Sequence, residues 1–161
     1  MSVTMEGGFS DPAIDAATAF RSAIAAMSRP GQVQRVSGAA PPAPLSVAMG
    51  VLALTLCDHE TPVWLAPSMD AKEVRAWLAF HTGCPFVNRA AADFAFCRWP
   101  EVDPIGGFRS GTEAYPDRSA TLVIEVVEFG ADHVIVGPGI ADAARVTVPD
   151  PYVFRANCAL Y

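Results

Sequence analysis

Gly111-Thr112-Glu113-Ala114-Tyr115-Pro116-Asp117-Arg118-Ser119-Ala120 runs straight into Thr121-Leu122-Val123-Ile124-Glu125-Val126-Val127. The second half is the strongest strand signal in the chain: a run rich in β-branched residues, entered from a polar, turn-forming loop. After a short turn around Gly130 the chain returns as His133-Val134-Ile135-Val136. That spacing predicts an antiparallel hairpin of 121–128 with 133–137. The preceding loop holds Thr112, Glu113, Tyr115, Asp117, Arg118 and Ser119, and polar loops on a rigid scaffold are where sites sit.

Upstream, Asp93-Phe94-Ala95-Phe96-Cys97 and Val63-Trp64-Leu65-Ala66 read as strands, and residues 98–110 as loop. Between the two strands, Asp70 is expected to cap a helix with Val74, Trp77, Leu78 and His81 on one face. Gly83 and Pro85 stop it. Leu45 to Cys57 is apolar almost all round, which favours a buried helix. Pro41-Pro42-Ala43-Pro44 is a stiff linker before it. Gln32 to Val36 alternates and predicts a peripheral strand. Asp11-Pro12 opens a helix with an N-cap residue and a proline at its first position. Its apolar stripe is Ala13, Ala17, Phe20, Ile24 and Met27, spaced by four and three. Residues 1–10 read as a flexible tail. Downstream, Ala144 to Val148 predicts a strand, and Pro149 to Tyr161 a final helix. Helices interspersed with strands place the chain in the α/β or α+β class, as one domain over 1–161 with a mixed sheet.

The chain has 161 residues, is 52% hydrophobic and 17% charged, and carries a net charge of -6. It is long enough to bury a core. The negative balance and the lack of a basic run exclude nucleic acid as a partner. No apolar run reaches the roughly 18 residues of a membrane span. Low surface charge suggests that partner subunits cover part of the apolar surface. Cys57, Cys84, Cys97 and Cys158 form no C-x-x-C pair and read as reduced thiols of a cytoplasmic protein.

Candidate chemistry is sparse. Cys57-Asp58-His59-Glu60 crowds metal-ligand types into one turn, but no second group is spaced to complete a tetrahedral site. His81 and Cys84 are a conceivable base and nucleophile, set against a histidine packed beside Trp77. Gly137-Pro138-Gly139 fits a type II turn whose amides offer an anion contact at Gly137 and Gly139, although Pro138 has no N–H to give. Arg118 suits a phosphate or phosphonate, with Thr112 beside it; equally, Asp117 and Arg118 suit capping of the loop or pairing with a partner chain, and the structural or interface reading is the favoured one. Arg29, after the first helix, is a second candidate anion or interface contact.

Several of these stretches together resemble a known family. They are Phe20-Arg21 through Met27-Ser28-Arg29-Pro30-Gly31; Leu54 to Asp58 with Thr61 to Leu65; and Phe80-His81-Thr82-Gly83-Cys84-Pro85. Further on come Gly111-Thr112 with Tyr115-Pro116 and Ala120-Thr121-Leu122; Gly137-Pro138-Gly139-Ile140; and Asn157 to Tyr161. In this order they resemble the H subunit of the carbon–phosphorus lyase core complex, over about residues 14–161. The resemblance implies a three-layer α/β fold, a mixed sheet flanked by helices, distantly like the large domain of fold-type I pyridoxal-phosphate transferases. It implies a homodimer and a place beside G, I and J subunits. That machinery joins an alkylphosphonate to the ribose of ATP, releases adenine and yields a ribose 1-phosphonate 5-triphosphate. No catalytic residue is carried over. The family's chains continue past the position of Tyr161 into Pro-x-Gly-x-Asp and a further strand, which is expected to be missing here.

The fold resemblance raises pyridoxal phosphate as a cofactor, and the lysine count argues against it. An internal Schiff base needs a lysine in a pocket. Lys72 is the single lysine against ten arginines, and it lies off the apolar face of its helix. Two functional readings follow. The first is a cofactor-free subunit of a multisubunit complex, without independent activity. The second is a free-standing small-molecule enzyme of transferase-like fold built on the 111–121 loop.

Overall fold

A computed structural model describes residues 5–127, 132–137 and 140–147. Its elements in chain order are α1 (Pro12–Ser28), α2 (Val47–Leu56), β1 (Val63–Leu65), α3 (Lys72–His81), β2 (Phe94–Arg98), β3 (Thr121–Glu125), β4 (Asp132–Ile135) and β5 (Ala144–Thr147). β1, β2 and β3 form a parallel sheet in that order, with Val63 beside Phe94 and Phe94 beside Thr121. β4 and β5 pair antiparallel as a separate ribbon. The α/β class read from the sequence holds.

Each sheet face has its own cover. Met49, Ala53 and Cys57 of the α2 region and Val74, Trp77 and Leu78 of α3 pack with Val63, Leu65 and Phe96 in one cluster, joined by Val123. Trp77, Phe96 and Met49 are almost fully buried there, each contributing about 1.5–3 kcal/mol over an exposed position. On the other face Ala66, Cys97 and Val102 pack with Trp64, Leu122 and Ile124. The link from β1 to β2 contains α3. The link from β2 to β3 contains only short 3-10 turns, at Trp99–Glu101, Ile105–Gly107 and Pro116–Arg118. Arg89 ties part of that long connection down: its Nη2 donates to the carbonyls of Val102, at 2.6 Å, and Pro104, while the guanidinium lies 4.1 Å from the Phe108 ring centre.

The expected hairpin of 121–128 with 133–137 does not form: β3 joins β2 in parallel, and β4 takes β5. The physical reason is in the run itself. Leu122 to Val127 is nearly continuously apolar rather than alternating, the pattern of a strand covered on both faces in a parallel sheet. The strand expected at 144–148 is present as β5. The one expected over 32–36 is absent. Val33 is 87% exposed, and an alternating pentapeptide with no neighbouring ladder gains nothing by extending.

α2 is the buried helix foreseen, with Ser46 accepting the Met49 N–H at 3.3 Å. α1 starts as expected, Asp11 accepting the Ile14 N–H at 3.2 Å. Its orientation is not the expected one. Phe20, Ile24 and Met27 are 47%, 51% and 72% exposed, whereas Ala19 is buried. α1 packs on α2, and Ala23 and Ala26 of α1 line one cleft with Ala48, Leu52 and Leu56 of α2. At α3, Asp70 is not the cap. Ala71 holds that position without a side-chain bond, and the Asp70 carboxylate instead takes Arg75 Nη2 at 2.8 Å together with Nε. The expected tail is tied down from Glu6: its carbonyl accepts Trp77 Nε1–H at 3.0 Å, and the Gly7 carbonyl accepts the Ala40 N–H at 2.8 Å. The helix expected over 149–161 lies outside the described residues.

Candidate functional site

The parallel sheet has two ends with different chemistry. At the amino ends of β2 and β3 lies the 110–119 loop. It closes on itself. Thr112 and Tyr115 exchange backbone bonds of 3.1 and 3.2 Å, and Thr112 Oγ1 also accepts the Tyr115 N–H. Gly111 sits at φ 73°, where an added Cβ would lie 3.0 Å from the carbonyl oxygens of Tyr115 and Pro116, so only glycine fits. Arg118 lies 4.0 Å from the centre of the Tyr115 ring, a cation–π contact within the loop. Thr112, Asp117 and Arg118 are all exposed. The base of the loop is held by an ion pair between Arg109 and Asp93, and by the Ala120 N–H on the Arg109 carbonyl at 2.8 Å. Sequence reading missed that pair. Arg109 and Asp93 are distant in the chain, and only the β2–β3 register brings them together.

At the carboxyl ends of β1 and β2 sits a second polar group, also missed. Glu101 accepts three hydrogen bonds: from the Ser68 N–H at 3.0 Å, from Ser68 Oγ at 2.5 Å and from the Arg98 N–H at 2.9 Å. Burial pushes the Glu101 carboxyl up, but the Ser68 hydroxyl and the two backbone donors outweigh it and hold the group below its ordinary value. The carboxyl edge is where open parallel sheets bind ligands. Here it is a latch between two loops with its hydrogen bonds mutually satisfied.

The remaining candidates are dispersed. Arg29 is exposed at the C-terminal end of α1, beside Gly31, which approaches the Arg145 carbonyl of β5. The Gly137 carbonyl accepts the Ile140 N–H at 3.1 Å, and Pro138 and Gly139 lie outside the described residues. Among the described residues no hydrogen bond or ion pair joins Arg29 or Gly137 to the 110–119 loop.

The described thiols, Cys57, Cys84 and Cys97, are quiet. Burial, then Cys84 and Asp58, pushes Cys57 up to about 12, and burial raises Cys84. A thiol in that state is a poor nucleophile. His81 packs between the Trp77 and Phe80 rings at 4.8 and 4.9 Å, as the packed alternative has it, but its buried Nε2 has no hydrogen-bond partner among the described residues. Asp58 spends its carboxylate on Thr61 Oγ1 and the Glu60 N–H, both at 2.8 Å. Among the described residues no three His, Cys, Asp or Glu side chains converge, and no helix is long and apolar enough to cross a membrane. Lys72 is exposed at the start of α3.

These features describe an α/β protein in which, among the described residues, polar side chains mainly hold the chain's own loops in place. Residues 7–159 match the family model for bacterial phosphonate metabolism protein (PhnH), and the chain belongs to that family. It is 42% identical over 165 residues to alpha-D-ribose 1-methylphosphonate 5-triphosphate synthase subunit PhnH of Rhizobium meliloti (strain 1021), an alignment covering 96% of this chain and 82% of that protein.

Proposed function

We propose that this chain is the H subunit of a carbon–phosphorus lyase core complex in the cytoplasm. It works there with G, I and J subunits and pairs with a second copy of itself. The reaction is the transfer of an alkylphosphonate onto the ribose of ATP. A phosphonate oxygen forms the bond to ribose C1, the C1–N bond breaks, and adenine leaves with the proton. The carrying observation is the 42% identity to the Rhizobium meliloti subunit over 96% of the chain. The quiet thiols and self-satisfied loops among the described residues support a role without independent turnover.

Co-expression of this chain with G, I and J subunits tests the reading. A co-purifying assembly that releases adenine from ATP and an alkylphosphonate is expected. Failure of the chain to enter any assembly overturns it. A pyridoxal phosphate of its own is not part of the proposal, since Lys72 is exposed on α3. Titration with pyridoxal phosphate is expected to give no imine absorbance band. A band that disappears in Lys72→Ala would reverse that part.

A further inference from the structure

Among the described residues an apolar cleft of about 410 Å³ lies between α1, α2 and β3. Ala26 and Met27 of α1, Leu52 and Leu56 of α2, and Leu122 and Ile124 of β3 line it, together with Gln34 and Val36. The last described residues of the chain return to its neighbourhood. Arg145, Val146 and Thr147 of β5 line a second cavity with Gly31, Gln32 and Val33, and a Cβ at Gly31 would lie 2.4 Å from the Arg145 carbonyl oxygen. Gln34 follows Val33 directly, so one short stretch of chain walls both cavities and β5 ends beside it.

Val148-Pro149-Asp150-Pro151 follows Thr147, and then Tyr152 to Tyr161, all outside the described residues. Asp150-Pro151 repeats the Asp11-Pro12 pair that starts α1, where Asp11 accepts the Ile14 N–H and Pro12 opens the helix. Beyond it Tyr152, Val153, Ala156, Ala159 and Leu160 recur at helical spacing, and Arg155 and Asn157 are the strongly polar residues. A helix so nearly apolar all round needs cover on more than one side, and the cleft offers two helices and a strand. The lengths agree as well. As a helix 152–161 spans about 15 Å, close to the roughly 17 Å of a five-residue strand such as β3.

We infer that residues 152–161 form a helix that docks in this cleft, with Val153, Ala156 and Leu160 turned inward. The tether selects this occupant. Residues 148–151 reach about 13–14 Å when extended, and a segment held that close to the cleft has an effective concentration of about millimolar. A second copy or another subunit at micromolar concentration does not compete with it. The docking belongs to the isolated chain and does not rest on the chain's place in an assembly.

Cross-linking of the isolated chain tests it. Ala26→Cys is combined with Ala156→Cys and Cys158→Ser, and unlabelled and heavy-isotope chains are mixed before mild oxidation. A disulfide between positions 26 and 156 is expected to form at least about tenfold faster than one from Thr18→Cys, exposed on the same helix, to position 156. It is expected to join light to light and heavy to heavy. Mixed pairs mean that a second copy supplies the helix, and equal rates from 26 and 18 mean that the segment lies elsewhere. Either result overturns the proposal. Thermal midpoints of the intact chain give a second reading. Val153→Asp and Leu160→Asp are each expected to lower the midpoint by at least about 5 °C, and Arg155→Ser by less than about 2 °C. A midpoint unmoved by both acidic substitutions overturns the proposal, since it leaves the cleft to some other occupant. Ala26→Trp fills the cleft, so adding Leu160→Asp to it is expected to cost less than half of what it costs in wild type, and full additivity overturns the docking. If Ala26→Trp fails to fold, the cross-link and the single acidic substitutions decide. The chain is tested alone, so none of these failures touches the functional reading, and a chain that enters no assembly leaves this result standing.

Discussion

Single residues here mostly hold loops, and Glu101 is the clearest case. It ties the turn after β1 to the end of β2 through Ser68 and the Arg98 N–H. Glu101→Gln replaces one acceptor oxygen by a donor facing other donors, and is expected to cost about 1–3 kcal/mol in urea unfolding at pH 7. The pH dependence has a definite sign. The folded-state carboxyl is held below its ordinary value of 4.5, so its stabilisation is fully present above that pH and fades as pH falls through the folded value. The gap between wild type and Glu101→Gln should therefore narrow below about pH 4.5. A gap constant from pH 7 to pH 3 would show that the carboxylate charge is not what holds the latch. Neither this group nor the Asp93–Arg109 pair was legible in the sequence. Glu101 looks like one more surface acid until β1 and β2 are set side by side, and no local spacing encodes that neighbour.

At the scale of elements, the helices within the described residues are legible in the sequence and the strand pairings are not, for one reason. Helix signals are local: the Asp11-Pro12 start, the all-apolar run of α2 and the Val74, Trp77 and Leu78 face of α3 are each contained in a few turns. Pairing depends on what lies across the sheet. The apolar run at 122–127 has no alternation to fix a register, so the nearest downstream strand looked like its partner. The orientation of α1 failed differently. Its large side chains make the more conspicuous stripe, but Ala19 is the buried position. A pair of substitutions separates the two faces. Ala19→Leu forces bulk into the buried seam and is expected to lower stability by about 1–3 kcal/mol. Ile24→Ser, on the half-exposed stripe, should stay within about 0.5 kcal/mol of wild type in the isolated chain. Urea midpoints at constant slope check both, and the reverse order would put the helix the other way round. Gly50 gives an independent check on α2. Alanine there gains helix propensity of up to about 1 kcal/mol. Its Cβ would, however, lie 2.5–2.9 Å from the Pro41 ring, so Gly50→Ala is expected to destabilise rather than stabilise.

For the whole molecule, the polarity of the sheet separates the features the sequence had left equal. The 110–119 loop was the richest polar stretch in the chain and so the natural first site. The parallel register places it at the amino ends of β2 and β3, opposite the carboxyl edge where open α/β sheets gather ligands. Its Thr112 and Gly111 shape the loop itself, and Arg118 rests on Tyr115 with its charge outward. An exposed guanidinium on a self-closed loop can meet either a partner surface or a substrate anion, and the two roles leave different traces. Arg118→Ala removes an exposed cation–π contact worth about 0.5–1 kcal/mol, so the isolated chain should fold with a thermal midpoint close to wild type. In a co-expressed assembly the variant is expected to lower the amount of chain that co-purifies. Adenine release per assembled complex should then stay within about twofold of wild type, a difference of under about 0.5 kcal/mol in the barrier. The contact is electrostatic at a surface, so raising ionic strength should weaken wild-type assembly towards the variant's level. If assembly stays intact and adenine release falls at least tenfold, Arg118 contacts the phosphonate or triphosphate, and the amino edge of the sheet becomes part of the reaction site.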